Sequence, residues 1–71
     1  MNTNLLRAEM AMQGMTGRQV AEKAGISRSA FSAKLNGIRS FDADEVIRIC
    51  DVLAIHDPQK KIDIFLTKTS Q

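Results

Sequence analysis

Short apolar clusters recur along the chain at the spacing of helices and are separated by polar, glycine-containing punctuation. Val46, Ile49, Cys50 and Leu53 recur at spacings of three and four, the repeat that gathers side chains on one helix face. No segment alternates apolar and polar over six residues, and the β-branched residues are scattered, so strands find no support. The pattern predicts an all-α fold of five helices, over about 4–13, 16–24, 27–36, 42–53 and 58–66.

Capping chemistry sets those boundaries. Thr3 or Asn2 caps the first helix, and Gly14 ends it in the left-handed conformation that glycine tolerates. Thr16 with Gln19 forms a capping box, and Met15 with Val20 a hydrophobic staple. Gly25 ends the second helix, and Ser27 caps the third after a turn of about three residues, with Ile26 stapled to Phe31. The third stops at Gly37, Asp42 and Glu45 box the fourth, with Phe41 stapled to Val46, and Asp57-Pro58 opens the fifth. Residues 67–71 are expected to fray.

The chain has 71 residues, room for one modest core and one domain. Its composition, 44% hydrophobic and 25% charged, is that of a globular protein. Its apolar runs are far too short for a membrane span or a signal-peptide core, so a cytoplasmic protein is expected. One cysteine and one histidine exclude an internal disulfide and a zinc site, and no cofactor is implied. Cys50 fits the apolar stripe of the fourth helix, His56 a loop, and Met10, Met12 and Met15 gaps in the core. Paired carboxylates, a nucleophile with its base and a phosphate loop are all missing, which argues against an enzyme or a small-molecule substrate.

Net charge is only +2, but it is polarised. Residues 14–40 carry five basic side chains against one acidic, and residues 41–57 one basic against five acidic. Such a domain can turn one face to phosphates and keep another away.

Residues 16–37 carry the most specific pattern. Two helices crossing over a three-residue turn need a small residue at the crossing, a flexible residue in the turn and apolar anchors around it. Ala21, Gly25 and the set Val20, Ile26 and Phe31 meet those needs. The pattern T-x-x-x-V-A-x-x-A-G-I-S-x-S-x-F-x-x-x-L-N-G, from Thr16 to Gly37, resembles the Cro/repressor (XRE-like) helix-turn-helix family of bacterial and phage regulators. The resemblance implies a lambda-repressor-like domain that binds a double-stranded DNA operator and puts its third helix in the major groove. Arg28 is then the main base reader, with Ser29, Ser32 and Ala33 beside it. Arg18, Ser27, Lys34, Asn36 and Arg39 become candidate phosphate contacts, helped by the helix N-termini. The sequence departs from the family's pattern at Gly17, where many members carry a phosphate-anchoring glutamine, and at Lys34, where many carry an apolar core residue. Arg18 and Leu35 are the expected replacements.

Some apolar side chains exceed what one core face needs. Leu5, Ala8 and Met12 share one face of the first helix while Leu6 and Met10 lie on the adjacent one, and Ile64 points nearly opposite Ile62, Phe65 and Leu66. The surplus marks Leu6, Met10 and Ile64 as a partner or dimer surface. Two functions follow: a stand-alone DNA-binding regulator of a phage lysis–lysogeny switch, working as a homodimer, or a protein-binding modulator or antirepressor acting on a partner repressor.

Overall fold

Each helix starts where a short polar side chain satisfies an otherwise orphaned backbone amide. In the computed structural model, which describes residues 1–66, these are α1 (Thr3–Met12), α2 (Gly17–Ala24), α3 (Arg28–Leu35), α4 (Ala43–Val52) and α5 (Pro58–Lys61), with α5 widening into a π-helical turn over Ile62–Leu66. No strand occurs among the described residues, and the expected fraying of residues 67–71 lies outside them. Asn2, Thr16, Ser27, Asp42 and Asp57 are the N-caps, and Thr16–Gln19 and Asp42–Glu45 form complete capping boxes.

Four helix C-termini share one device. The amides of Met15, Ile26, Ile38 and Ile55 each donate to a carbonyl five residues back, at 2.9 Å, around a residue with positive φ. Gly14, Gly25 and Gly37 hold three of those left-handed positions, and Ala54, at φ 54°, holds the fourth. A Schellman closure of this kind turns the chain sharply and brings an apolar residue back onto the helix it leaves. Ile26 and Ile55 are buried and Met15 half-buried as a result, whereas Ile38 stays in solvent.

The core draws on every helix except the short α5: Leu6 and Met10 from α1, Val20, Ala21 and Ala24 from α2, Phe31 and Leu35 from α3, and Ile49 and Cys50 from α4, closed by Leu53, Ile55 and Ile64. Cys50 is a packing residue, its thiol pKa raised chiefly by burial. His56 lies in the loop before α5.

Four placements differ from the sequence expectation. Leu6, Met10 and Ile64, expected on a partner surface, are core residues at 0%, 6% and 1% exposure, while Met12, expected in the core, is 68% exposed. On α1 the cause is Glu9. It shares the Leu6–Met10 face, is itself buried, and is neutralised by Lys60 at 3.1 Å, so a charge that reads as polar surface belongs to the core side. Ile64 is buried in the widened C-terminal turn, where its carbonyl accepts the amide of Asn2 at 2.7 Å. A π turn changes the angular step per residue, so a wheel drawn for an α-helix misplaces it.

Candidate nucleic-acid interface

The α2–turn–α3 unit is held by contacts the local pattern needs. Ala21 and Ala24 are buried, and the three-residue turn Gly25-Ile26-Ser27 puts glycine at φ 71° and Ile26 inside. Phe31 and Leu35, one turn apart, anchor α3 to the core. Phe31 also meets the ring of Phe41 at 5.7 Å between centroids, and Phe41 meets Phe65 at 6.3 Å, so the three phenylalanines form one chain of rings under α3. Gly17 opens α2 against Phe31, where a Cβ would make ordinary contact at 3.5 Å.

Anchoring Phe31 and Leu35 leaves the opposite face of α3 in water. Arg28, Ser29 and Ser32 are exposed there, with Asn36 one turn beyond, and Ala33 is half-buried at the flank. An open concavity of about 760 Å³ lies between the start of α2 and this face, edged by Arg18, Arg28, Ser29 and Ser32 over a floor of Gly17, Phe31 and Leu35. The Ser27 hydroxyl oxygen accepts the amide of Ala30 at 3.2 Å, which leaves its hydrogen free to donate outward.

The basic side chains divide into two groups. Arg18, Arg28 and Arg39 are exposed and make no ion pair or hydrogen bond among the described residues. Lys34 does not belong with them. Its ammonium lies 2.6 Å from Glu45 and its side chain is 14% exposed. Sequence reasoning placed it on a phosphate; the structure spends its charge inside the protein, because Glu45 caps the start of α4 in a half-dry site and a buried carboxylate needs a partner. Lys34 therefore fills the position expected of an apolar residue with its methylene stem, while Leu35 is buried beside it as anticipated. The Lys34 hydrogen bond, then the Asp42 amide, hold the Glu45 carboxyl below the usual carboxylate range against the opposing effect of burial.

Two arginines were invisible to sequence reasoning. Arg48 of α4 donates through Nη1 to the Ala24 carbonyl at 3.0 Å, placing a cation on the C-terminus of α2 and tying the helix-turn-helix to α4, while Nη2 pairs with Asp44 at 3.2 Å. Arg7 of α1 donates through Nη2 to the Asn36 side-chain oxygen at 2.8 Å. Partners 24 and 29 residues apart leave no local signature in a sequence.

This geometry of two short helices, a glycine turn and an exposed second-helix face agrees with the comparison to known families, in which a helix-turn-helix domain matches residues 4–60. The chain belongs to the helix-turn-helix domain family. The match runs from α1 into α5, so it takes in the supporting helices as well as the motif. No curated protein and no solved structure matches the chain. Membership of a helix-turn-helix family supports DNA binding, and no helix among the described residues is long and apolar enough to cross a membrane.

Proposed function

We propose that this helix-turn-helix protein is a sequence-specific transcriptional regulator, a Cro-like component of a phage lysis–lysogeny switch, that reads its operator with α3. The observation that supports this most directly is the split between the basic side chains: Lys34 and Arg48 are neutralised within the fold, whereas Arg28, at the amino end of α3, projects unpaired beside Arg18. A guanidinium there can bind guanine O6 and N7 together. Ser29 and Ser32 offer hydroxyls to neighbouring bases, and the Ala33 methyl lies at the edge of that set. Arg18, Ser27 and Arg39 serve the phosphates on either side. The protein acts as a pair, so two copies meet half-sites about one helical turn, or ~34 Å, apart.

Selection of sites from random DNA followed by footprinting tests the assignment. Arg28→Ala should lose ~1–3 kcal/mol on the selected site and relax preference at one position, whereas Arg39→Ala should weaken all sequences alike and lower the salt dependence. An Arg28→Ala profile identical to wild type would remove Arg28 as the base reader. The alternative reading, a modulator or antirepressor acting on a partner repressor, loses one of its two supports, because Leu6, Met10 and Ile64 are core residues, and keeps the other, a third helix with a single strong base-reading side chain.

A further inference from the structure

Arg7 and Asn36 meet at the carboxyl end of α3. The guanidinium donates through Nη2 to Asn36 Oδ1 at 2.8 Å, and Asn36 Nδ2 lies 3.5 Å from Ser32 Oγ, a long hydrogen bond. Both residues are exposed, and no carboxylate pairs with Arg7 among the described residues. A guanidinium has only donors, so the amide end that faces it is the oxygen, and the NH2 is turned away from it. The pair therefore keeps its full positive charge. Most of the guanidinium N–H groups and one of the amide's have no partner among the described residues.

We propose that Arg7, on α1 and outside the helix-turn-helix, is a DNA-backbone residue that binds, together with Asn36, one phosphate at the far end of α3 in each half-site. The inference rests on the assignment of α3 to the major groove. The helix is 8 residues long, so its ends lie about 12 Å apart, close to the ~12 Å width of that groove. With the amino end of α3 at the base edges, its carboxyl end is far enough away to reach the phosphates that flank them. An anionic oxygen can accept from the guanidinium and the amide together, and a guanidinium matches phosphate geometry through parallel hydrogen bonds. Lys34 cannot take this place, being held by Glu45. A mere tie between α1 and α3 needs the Arg7–Asn36 hydrogen bond but not the charge, and this separates the two roles.

The test measures binding of the full chain to its selected site and to random-sequence DNA between about 50 and 200 mM salt, with thermal melting alongside. Arg7→Gln removes the charge and keeps a side-chain donor. It should flatten the plot of log affinity against log salt by about 0.9 per half-site, a ~3.5-fold smaller loss of affinity over that range, on both DNAs. The base preferences set by Arg28 should persist, and Arg7→Lys should keep the wild-type slope. Replacing each phosphate of the selected site in turn by neutral methylphosphonate locates the contact. One position per half-site should weaken the wild type by about threefold and Arg7→Gln by less than about twofold. Asn36→Asp supplies a second route should Arg7→Gln melt early. It keeps an acceptor for Arg7 but turns the charge onto a carboxylate, so a folded variant should show the same lowered slope and the same lost sensitivity at that phosphate. A slope and methylphosphonate profile identical to wild type in a folded variant would reduce the pair to a tie between α1 and α3 and overturn the phosphate role alone. Failure of the wild type to select any site would overturn DNA reading by α3 and the phosphate role together.

Discussion

Ala54 occupies a backbone conformation for which its side chain is poorly suited. Three of the four Schellman closures use glycine, whereas Ala54 sits at φ 54° with a Cβ that the left-handed region disfavours by ~1–2 kcal/mol. Ala54→Gly should therefore stabilise the fold by about 0.5–1 kcal/mol, after the extra unfolded-state freedom of glycine is subtracted, and raise the melting temperature by about 4 °C. Gly37→Ala is the mirror experiment. Its φ is 82° and an added Cβ would meet nothing within 4 Å, so a loss of ~1 kcal/mol there would be a pure backbone effect. A thermal melt of each variant decides both; a lower melting point for Ala54→Gly would show that α4 does not end in this closure.

At the scale of elements, the Lys34–Glu45 pair joins α3 to the start of α4. Glu45 also accepts the Asp42 amide at 2.9 Å, so one carboxylate serves both a capping box and an inter-helix bridge. Its pKa is lowered from 4.5, first by the Lys34 hydrogen bond and then by the Asp42 amide. A carboxyl whose folded pKa is depressed adds stability that is complete above its unfolded pKa and is lost as the pH falls through the folded value. The melting temperature should accordingly drop as the pH is taken below 4.5, and Glu45→Gln should flatten that acid limb while lowering stability at neutral pH. Lys34→Met strands the carboxylate and should cost ~3 kcal/mol, most of it recovered when Glu45→Gln is added. Because Lys34 is turned inward, neither change should alter the salt dependence of DNA binding beyond its effect on folding. A reduced salt slope in a folded Lys34→Met variant would return Lys34 to the phosphate-binding set.

Across the described residues, the first and last helical segments brace the motif between them. The Asn2 amide is bonded to the Ile64 carbonyl, Lys60 is paired with Glu9, and the rings of Phe31, Phe41 and Phe65 run from α3 to the C-terminal turn. Phe31 is 2% exposed and belongs to both that aromatic chain and the α2–α3 anchor. Phe31→Ala should cost ~3–5 kcal/mol, a large share of the stability of so small a domain, leaving the protein partly unfolded at physiological temperature by circular dichroism. Loss of helical signal in α3 alone, with the remainder intact, would show that the core is not cooperative.

What the sequence determined by itself was most of what depends on neighbours a few residues apart. Four N-caps, both capping boxes, the three glycine C-termini and the three-residue turn are interactions of residues within about one helical turn, and each is written in a short string such as Thr16 to Gln19 or Gly25 to Ser27, while the first cap is narrowed only to Asn2 or Thr3. Legible too was the exposed series Arg28, Ser29 and Ser32, because Phe31 and Leu35 fix which side of α3 is buried. Only the tertiary structure decided which of two apolar faces of α1 turns inward, since Glu9 becomes a core-side residue only through Lys60. It also decided that the last helix widens, burying Ile64, and that Lys34 faces Glu45 rather than solvent. The same holds for Arg7 at Asn36 and Arg48 at Ala24, 29 and 24 residues away. A charge is placed by the partner that neutralises it or by the water that solvates it, and partners brought together by folding cannot be read from residues considered in their own helix.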